Sequence, residues 1–167
     1  EGGIKVPFFM VWQNKIQASS TYDQVVSSLD LYPTLLSAAG GSIEQETQLD
    51  GVDLIPFIEN KMTGKPHETL YWRSVGGFEY AIRYQNYKLY KSAYKDKTML
   101  FNLKTDAYER HDVAEIHPEI ISKLEALYTE WDSKNIPPGW VDPHPENVIK
   151  EEKNFKGIRE KSLRPKS

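Results

Sequence analysis

The sequence contains no cysteine among its 167 residues. This absence excludes disulfides, cysteine-based zinc sites and cysteine nucleophiles within the segment. Long apolar stretches are missing as well, since no run approaches the roughly 18–20 residues that a membrane-spanning helix needs. We therefore expect no membrane span in this chain.

An excess of positive charge is also lacking: 21 Lys and Arg residues face 24 Asp and Glu residues, for a net charge of −3. Such a chain has no general attraction to nucleic acid or to an acidic membrane. Apolar residues make up 39%, below the roughly 45–50% of an average domain, which argues against a large self-sufficient core. Aromatic residues reach 12% and argue against disorder, because their side chains bury large areas.

Two short segments in the first part of the chain are predicted to be strands. Residues 6–12, VPFFMVW, form a nearly continuous apolar run, which is typical of a strand buried on both faces in a parallel sheet. Residues 24–29 are a second candidate. Because a doubly buried strand needs neighbours, we expect roughly the first 60 residues to expose apolar surface or to pair with another chain.

A capped helix is predicted to follow these segments. Asp30 is placed at its N-cap, because a carboxylate there accepts hydrogen bonds from the free N–H groups of the first turn. Pro33 falls within that turn, where its missing N–H is harmless. Gly40 and Gly41 then supply a C-terminal stop. Asp53 is a candidate cap for a shorter helical turn just after it.

Short aromatic segments dominate the chain from Thr69 onward. Four of them, separated by turn residues, predict an antiparallel meander of about four strands; they lie at residues 70–73, 80–84, 87–91 and 99–103. Gln85 and Asn86 form a two-residue gap between two of these segments, which favours a tight hairpin.

One long helix is predicted after the meander. It opens at Pro118, and its apolar residues repeat at helical spacing as far as Trp131, so one stripe packs on a face of the sheet. The chain then divides into residues 1–64, residues 65–136 with the sheet and helix, and an extended Pro-rich, basic tail at residues 137–167. We interpret the tail as a solvated segment, with an anionic partner as the alternative.

Five groups of motifs follow one another along the chain in a recognisable order. They are EGGIKVP at 1–7, SLDLYPTLL at 28–36, LDGVDL at 49–54, LYW, AIR and YKL between 70 and 89, and LFNLKTDAYERHDVA at 100–114. Together they resemble the C-terminal portion of the sulfatase family, arylsulfatase-like members of the alkaline-phosphatase-like superfamily. The resemblance runs from Glu1 to about Trp131. Lys5 replaces the commoner Arg, and Asp112 stands where Asn is usual.

The resemblance implies an α/β fold for the parent enzyme and an α+β arrangement within this chain. Residues 1–64 would be the C-terminal end of the α/β catalytic domain, and residues 65–136 a subdomain of about four antiparallel strands packed on one long helix. The implied parent is a sulfuric ester hydrolase located in the periplasm, outside the cell or in lysosomes. Its implied partners are the rest of the catalytic domain and a sulfate-ester substrate, with sulfated glycans as candidates; oligomerisation through exposed apolar surface is a further expectation.

The reactive groups of the family are expected outside this chain. The resemblance implies a formylglycine made from Cys or Ser in a C/S-x-P-x-R motif, and a calcium ion held by Asp and Asn residues. The sequence has no cysteine and no Ser-x-Pro-x-Arg motif, and its Asp and His residues lack metal-ligand spacing. We therefore predict no catalytic residue, cofactor or metal site here. A chain that begins at Glu1 rather than Met is interpreted as a fragment.

Five residues are candidates for substrate binding. The resemblance places Glu1 and Gly2 near the rim of the active site, and the alternative is a tight turn that needs glycine. His67, Trp72 and Arg73 stand at the start of the predicted sheet. A tryptophan there stacks on a sugar ring, and an arginine grips sulfate or carboxylate as a fork. The alternative is a core Trp72 and a solvent-facing Arg73.

Two other functions remain open from the residues alone. A phosphonate or phosphate ester hydrolase of the same superfamily would share these motifs and differ in its nucleophile. A non-enzymatic carbohydrate-binding or interaction module would use the aromatic meander. The buried-strand pattern of residues 6–12 argues against a small module, because such a strand would lack neighbours there.

The chain on its own is expected not to hydrolyse an aryl sulfate, because the groups that attack sulfate are missing from it. The measurement is release of 4-nitrophenol from 4-nitrophenyl sulfate by the purified chain, with an active sulfatase as the positive control. Clear turnover by the chain would contradict the prediction that the chemistry lies elsewhere.

Overall fold

The computed structural model describes residues 2–42, 48–74, 77–93 and 96–137. Glu1 and the predicted tail beyond Pro137 lie outside the described residues. In chain order the elements are helix α1 (Leu31–Ala38), short helix α2 (Ile55–Ile58), strands β1 (Thr69–Arg73), β2 (Glu79–Tyr84), β3 (Tyr87–Ser92) and β4 (Lys97–Asn102), and helix α3 (Pro118–Ser133). They belong to two compact units: Lys5–Glu68, and the residues up to Ile4 together with those from Thr69 onward.

The four strands form one antiparallel sheet in the order β1-β2-β3-β4, which confirms the predicted meander. The hairpin between β2 and β3 closes through Gln85 and Asn86, with Tyr84 directly opposite Tyr87. Gln85 takes a φ of 53°, a left-handed conformation that tight hairpin turns use. The two-residue turn sets the pairing of every residue along both strands.

Helix α3 covers one face of this sheet. It begins at Pro118 after His117, as predicted. Ile82, Leu89 and Leu100 lie opposite one another across three strands and are fully buried together with Leu124 of α3. Burying each such side chain contributes about 1.5–3 kcal/mol. This cluster is the core of the sheet-and-helix unit.

Two pairs of stacked rings extend the contact between α3 and the sheet. Tyr80 stacks on Tyr128 with ring centroids 3.7 Å apart, and Tyr71 stacks on Trp131 at 4.9 Å. Burial, with the nearby carboxylates of α3, raises the pKa of Tyr80 to about 12. Burial also raises the pKa of Tyr128 well above its usual value.

In the unit Lys5–Glu68, helix α1 begins directly after a capped turn. A 3₁₀ turn, Ser28–Asp30, precedes α1, and the residue that caps this turn is Ser27. The Asp30 carboxylate accepts a hydrogen bond from the Ser27 backbone N–H at 2.7 Å, which is the returning half of a capping box. Asp30 does hold the N-cap position of α1, as predicted, but the predicted capping hydrogen bond from its side chain is wrong, because none forms there. The strand predicted for residues 24–29 is also wrong, because this segment leads into the capped turn.

The C-terminal end of α1 matches the prediction. Gly40 has a φ of 77° and donates its N–H to the Ser37 carbonyl at 3.0 Å, while Gly41 donates to the Leu36 carbonyl at 3.0 Å. These two bonds form a Schellman motif, which satisfies the last carbonyls of a helix and needs a left-handed residue. Glycine takes that conformation without a Cβ clash.

The strand predicted at residues 6–12 does not form. Val6, Phe9 and Val11 are 74%, 88% and 93% exposed. A strand needs backbone partners on neighbouring strands, and no strand forms among residues 5–42 and 48–68 to supply them. The expectation that the first part of the chain exposes apolar surface is confirmed.

The unfolding free energy is expected to fall between pH 10 and pH 12. Unfolded tyrosine has a pKa of about 10, whereas Tyr80 titrates near pH 12 in the folded protein. The folded state therefore keeps a proton in this window that the unfolded state releases, so stability is complete below pH 10 and is lost as the pH rises through the window. Urea unfolding at pH 9.5, 10.5 and 11.5 measures the slope. Tyr80→Phe should flatten it, with the exposed Tyr108→Phe as control; an unchanged slope in Tyr80→Phe would contradict the assignment.

Candidate functional site

The face of the sheet opposite α3 carries a pocket whose floor is a row of residues across four strands. Trp72 lies opposite Ala81, Ala81 opposite Tyr90, and Tyr90 opposite Met99. Because side chains alternate between faces along a strand, these four point away from α3. The small Ala81 between two aromatic residues leaves a depression. The pocket has a volume of about 590 Å³, within the range of small-molecule sites.

One side of the pocket is formed by an ion pair. Lys88 is buried, and its Nζ lies 2.7 Å from Oε1 of Glu109. Phe101 lies opposite Lys88 on β4 and also lines the pocket. Burial disfavours the charged form of Glu109, but the hydrogen bond from Lys88 helps to hold the pKa of this carboxyl below its ordinary value. The Lys88 ammonium is thus engaged with a carboxylate rather than presented to a ligand.

The other side of the pocket carries a carboxylate held by hydroxyl groups. Oε1 of Glu79 accepts hydrogen bonds from the Tyr90 hydroxyl at 2.5 Å and the Ser92 hydroxyl at 2.8 Å. Glu79 and Tyr90 both line the pocket, and Ser92 is buried beneath them. Burial and the hydrogen bond to Glu79 raise the pKa of the Tyr90 hydroxyl. The pair presents polar oxygens beside aromatic surface.

Trp72 and Arg73, both predicted for substrate binding, differ in their surroundings. Trp72 is half-buried on the pocket floor. Arg73 also borders the pocket, but its guanidinium pairs with the Asp132 carboxylate of α3, donates to the Ile136 carbonyl and lies over the Trp131 ring. The alternative of a simply solvent-facing Arg73 therefore does not hold.

His67 belongs to the other unit, where it is part of a buried polar cluster. Its Nε2 lies 2.7 Å from Oδ1 of Asp30, whose side chain is fully buried. The same Asp30 oxygen accepts the Val52 N–H at 2.9 Å. Gly51 beside it has no room for a side chain, because a Cβ there would lie 2.0 Å from the Leu29 carbonyl oxygen. His67 thus joins a cluster around α1.

The first residues of the chain reach the pocket at one point. Gly3 and Ile4 line it, whereas Gly2 is exposed with open space around its Cα. Glu1, the other candidate at the rim, lies outside the described residues. The structure therefore brings Trp72, Arg73 and the Gly3 segment to one pocket.

Several pocket residues were missed by the sequence reasoning, namely Glu79, Ala81, Lys88, Tyr90 and Glu109. For all of these except Glu109, which follows β4, the signal is the register of the β2–β3 hairpin. A two-residue turn at Gln85 and Asn86 requires Ala81 to lie opposite Tyr90, and alternation then places both on one face. Among the described residues, no three His, Asp or Glu side chains gather in a way that would hold a metal ion. The helices of the described part are all too short or too polar to cross a membrane.

The chain matches the protein family described as "N-sulphoglucosamine sulphohydrolase, C-terminal" over residues 1–134. It is 27% identical over 173 residues to the uncharacterized sulfatase YdeN of Escherichia coli (strain K12), and 32% identical over 166 residues to arylsulfatase A of Bos taurus. These matches cover 82% and 80% of this chain but 30% and 32% of the relatives. The chain spans about a third of the length of these curated relatives.

Solved structures show the same fold. The crystal structure of Ps i-CgsB matches with a TM-score of 0.70 and 26% identity, covering 92% of this chain and 34% of that one. A second structure of the same protein, in complex with k-i-k-neocarrahexaose, matches with a TM-score of 0.69 and 29% identity, covering 89% and 32%. The antiparallel sheet with one long helix is the expected sulfatase C-terminal fold.

Replacing Asp30 is expected to destabilise the protein strongly. Asp30→Ala leaves the Ser27 and Val52 N–H groups and His67 without their acceptor, and losing several buried hydrogen bonds costs about 2–4 kcal/mol. Urea unfolding measures the loss. The exposed Asp23→Ala is the control, with an expected change below about 0.5 kcal/mol; similar values for the two variants would refute the role of the cluster.

Proposed function

Because the chain belongs to the N-sulphoglucosamine sulphohydrolase C-terminal family of sulfatases, we propose that it forms the C-terminal part of an enzyme that hydrolyses sulfate esters. The observation that carries this proposal is the family match over residues 1–134. The relatives that support it are themselves named as sulfatases. The substrate class we propose is sulfated carbohydrate.

The chemical step is assigned to residues other than those described. The family implies a formylglycine and a calcium ion, but the chain has no cysteine and its described residues include no metal-binding cluster. The described residues therefore fit neither a formylglycine nor a calcium ion, and no catalytic step is assigned to them. What this chain supplies is binding surface.

The proposed binding surface is the pocket on the sheet. Trp72 offers an aromatic face on which the apolar side of a sugar ring can stack, and the Gly3 segment at the pocket lets backbone approach a ligand closely. A structure similar to this chain holds a neocarrahexaose, which supports a carbohydrate as the ligand class. Direct contacts of Trp72, Arg73, His67, Glu1 and Gly2 with substrate remain predictions.

Arg73 is proposed to act at the edge of the pocket rather than as a free cation. Its charge is already compensated by Asp132, so a sulfate group there would have to compete with that carboxylate. Such competition lowers the gain from a new ion pair. Arg73 therefore serves to hold the end of β1 against α3, which fixes the backbone that presents Trp72 on the opposite face.

The partner that we propose for the apolar surface is the rest of the catalytic domain. Val6, Phe9 and Val11 are largely exposed, and a contiguous apolar segment of this kind marks an interaction surface. If the catalytic domain covers these side chains, it would supply the neighbours that a strand buried on both faces requires. Oligomerisation through the same surface is the alternative occupant.

The full-length enzyme is expected to hydrolyse 4-nitrophenyl sulfate and sulfated oligosaccharides, and to turn over 4-nitrophenyl phosphate much more slowly. Trp72→Ala should lower kcat/KM for a sulfated oligosaccharide by about tenfold, equal to about 1.4 kcal/mol, because a stacking surface is lost. It should leave the small aryl sulfate unaffected.

Tyr108→Ala is the matched control, since Tyr108 is an exposed aromatic residue outside the pocket. Faster turnover of the phosphate ester than of the sulfate ester would contradict the proposed reaction. An equal loss in Trp72→Ala and Tyr108→Ala would contradict the proposed binding surface alone.

A further inference from the structure

The two cations that line the pocket are Arg73 and Lys88, and each is engaged with a carboxylate. Arg73 pairs with Asp132, and Lys88 pairs with Glu109. Glu79 also lines the pocket, and among the described residues its carboxylate is paired with the Tyr90 and Ser92 hydroxyl groups rather than with a cation. The negative charge of Glu79 is therefore balanced by hydroxyl groups rather than by an ion pair among the described residues.

The Glu79 carboxylate makes its side of the pocket a poor place for a sulfate group. A sulfate placed beside Glu79 would meet a like charge in a partly desolvated site, where repulsion is less screened than in water. A like charge of this kind discriminates against anionic ligands without any steric block. The ring that occupies the pocket should therefore be uncharged.

The aromatic and polar groups of the pocket fit a neutral sugar ring. A sugar ring has an apolar face that can lie on Trp72, and adjacent hydroxyl groups that need both acceptors and donors. A carboxylate only accepts, so Glu79 suits hydroxyl donors, and the Tyr90 oxygen retains acceptor capacity while its proton is directed to Glu79. Trp72 and Glu79 are diagonal neighbours on one face, because Trp72 lies opposite Ala81, two residues from Glu79.

We propose that Glu79 and Tyr90 bind the hydroxyl groups of an unsulfated sugar ring next to the sulfated one, and so select substrates in which that ring is neutral. This inference rests on the proposed function and deepens it. It assigns a specificity role to two residues of the sheet, with Trp72 as the stacking platform.

The first experiment measures binding directly with the full-length enzyme. The probe is chemically desulfated kappa-neocarrahexaose, a neutral oligosaccharide of the type seen with a similar structure, and saturation-transfer NMR reports its contact. Binding is expected in the wild type and should weaken about tenfold or more in Glu79→Gln and in Tyr90→Phe. Glu130→Gln and Tyr84→Phe are matched controls outside the pocket. Absence of binding, or equal binding in all variants, overturns the inference.

The second experiment measures selectivity. Kappa-neocarrahexaose leaves every second ring unsulfated, whereas iota-neocarrahexaose carries sulfate on every ring. The wild type should show a higher kcat/KM for the kappa form, and Glu79→Gln should reduce that preference about tenfold, because it removes the negative charge but keeps the shape and the acceptor oxygen.

Turnover of 4-nitrophenyl sulfate tests the proposed sulfatase reaction separately from the proposed site for a neutral ring. It has no sugar ring, so its turnover by the wild type reports the sulfatase reaction without the proposed ring site. Normal aryl sulfate turnover with no change in the kappa preference overturns the role of Glu79 while the sulfatase assignment stands. Lack of aryl sulfate turnover by the wild type overturns the proposed reaction, and the NMR binding result then decides the neutral-ring site by itself.

Discussion

The stacking of Tyr80 on Tyr128 and of Tyr71 on Trp131 holds helix α3 against one face of the sheet. Because side chains alternate along a strand, fixing Tyr71 and Tyr80 on that face turns their neighbours Trp72 and Ala81 to the other. The same strand register therefore decides which residues form the core on one face of the sheet and which line the pocket on the other. A slip of one residue would exchange the two sets and lose both.

Local patterns were sufficient to predict the sheet-and-helix unit. Its strands are bounded by turn residues, and a two-residue turn leaves little freedom in the register of β2 and β3. The pocket was only partly predicted: Trp72 and Arg73 were singled out by residue type, whereas Glu79 and Ala81 are ordinary residues whose role depends on what lies opposite them.

The unit Lys5–Glu68 was predicted less well, because its structure depends on distant partners. Asp30 has a helix-capping side chain, but Val52 and His67 compete for its oxygens, and tertiary hydrogen bonds outweigh the local preference. Residues 6–12 have the pattern of a buried strand, yet a strand forms only where neighbours supply backbone partners. Both errors come from interactions that a sequence pattern does not contain.

The central claim is that the face of the sheet turned away from α3 receives a neutral ring of a sulfated carbohydrate. The most direct measurement is a crystal structure of the full-length enzyme with bound kappa-neocarrahexaose. The account predicts an unsulfated ring stacked on Trp72 at about 4 Å, with its hydroxyl groups on Glu79 and Tyr90. A pocket filled by side chains of the catalytic domain, or occupied by a sulfate group on Glu79, would contradict it.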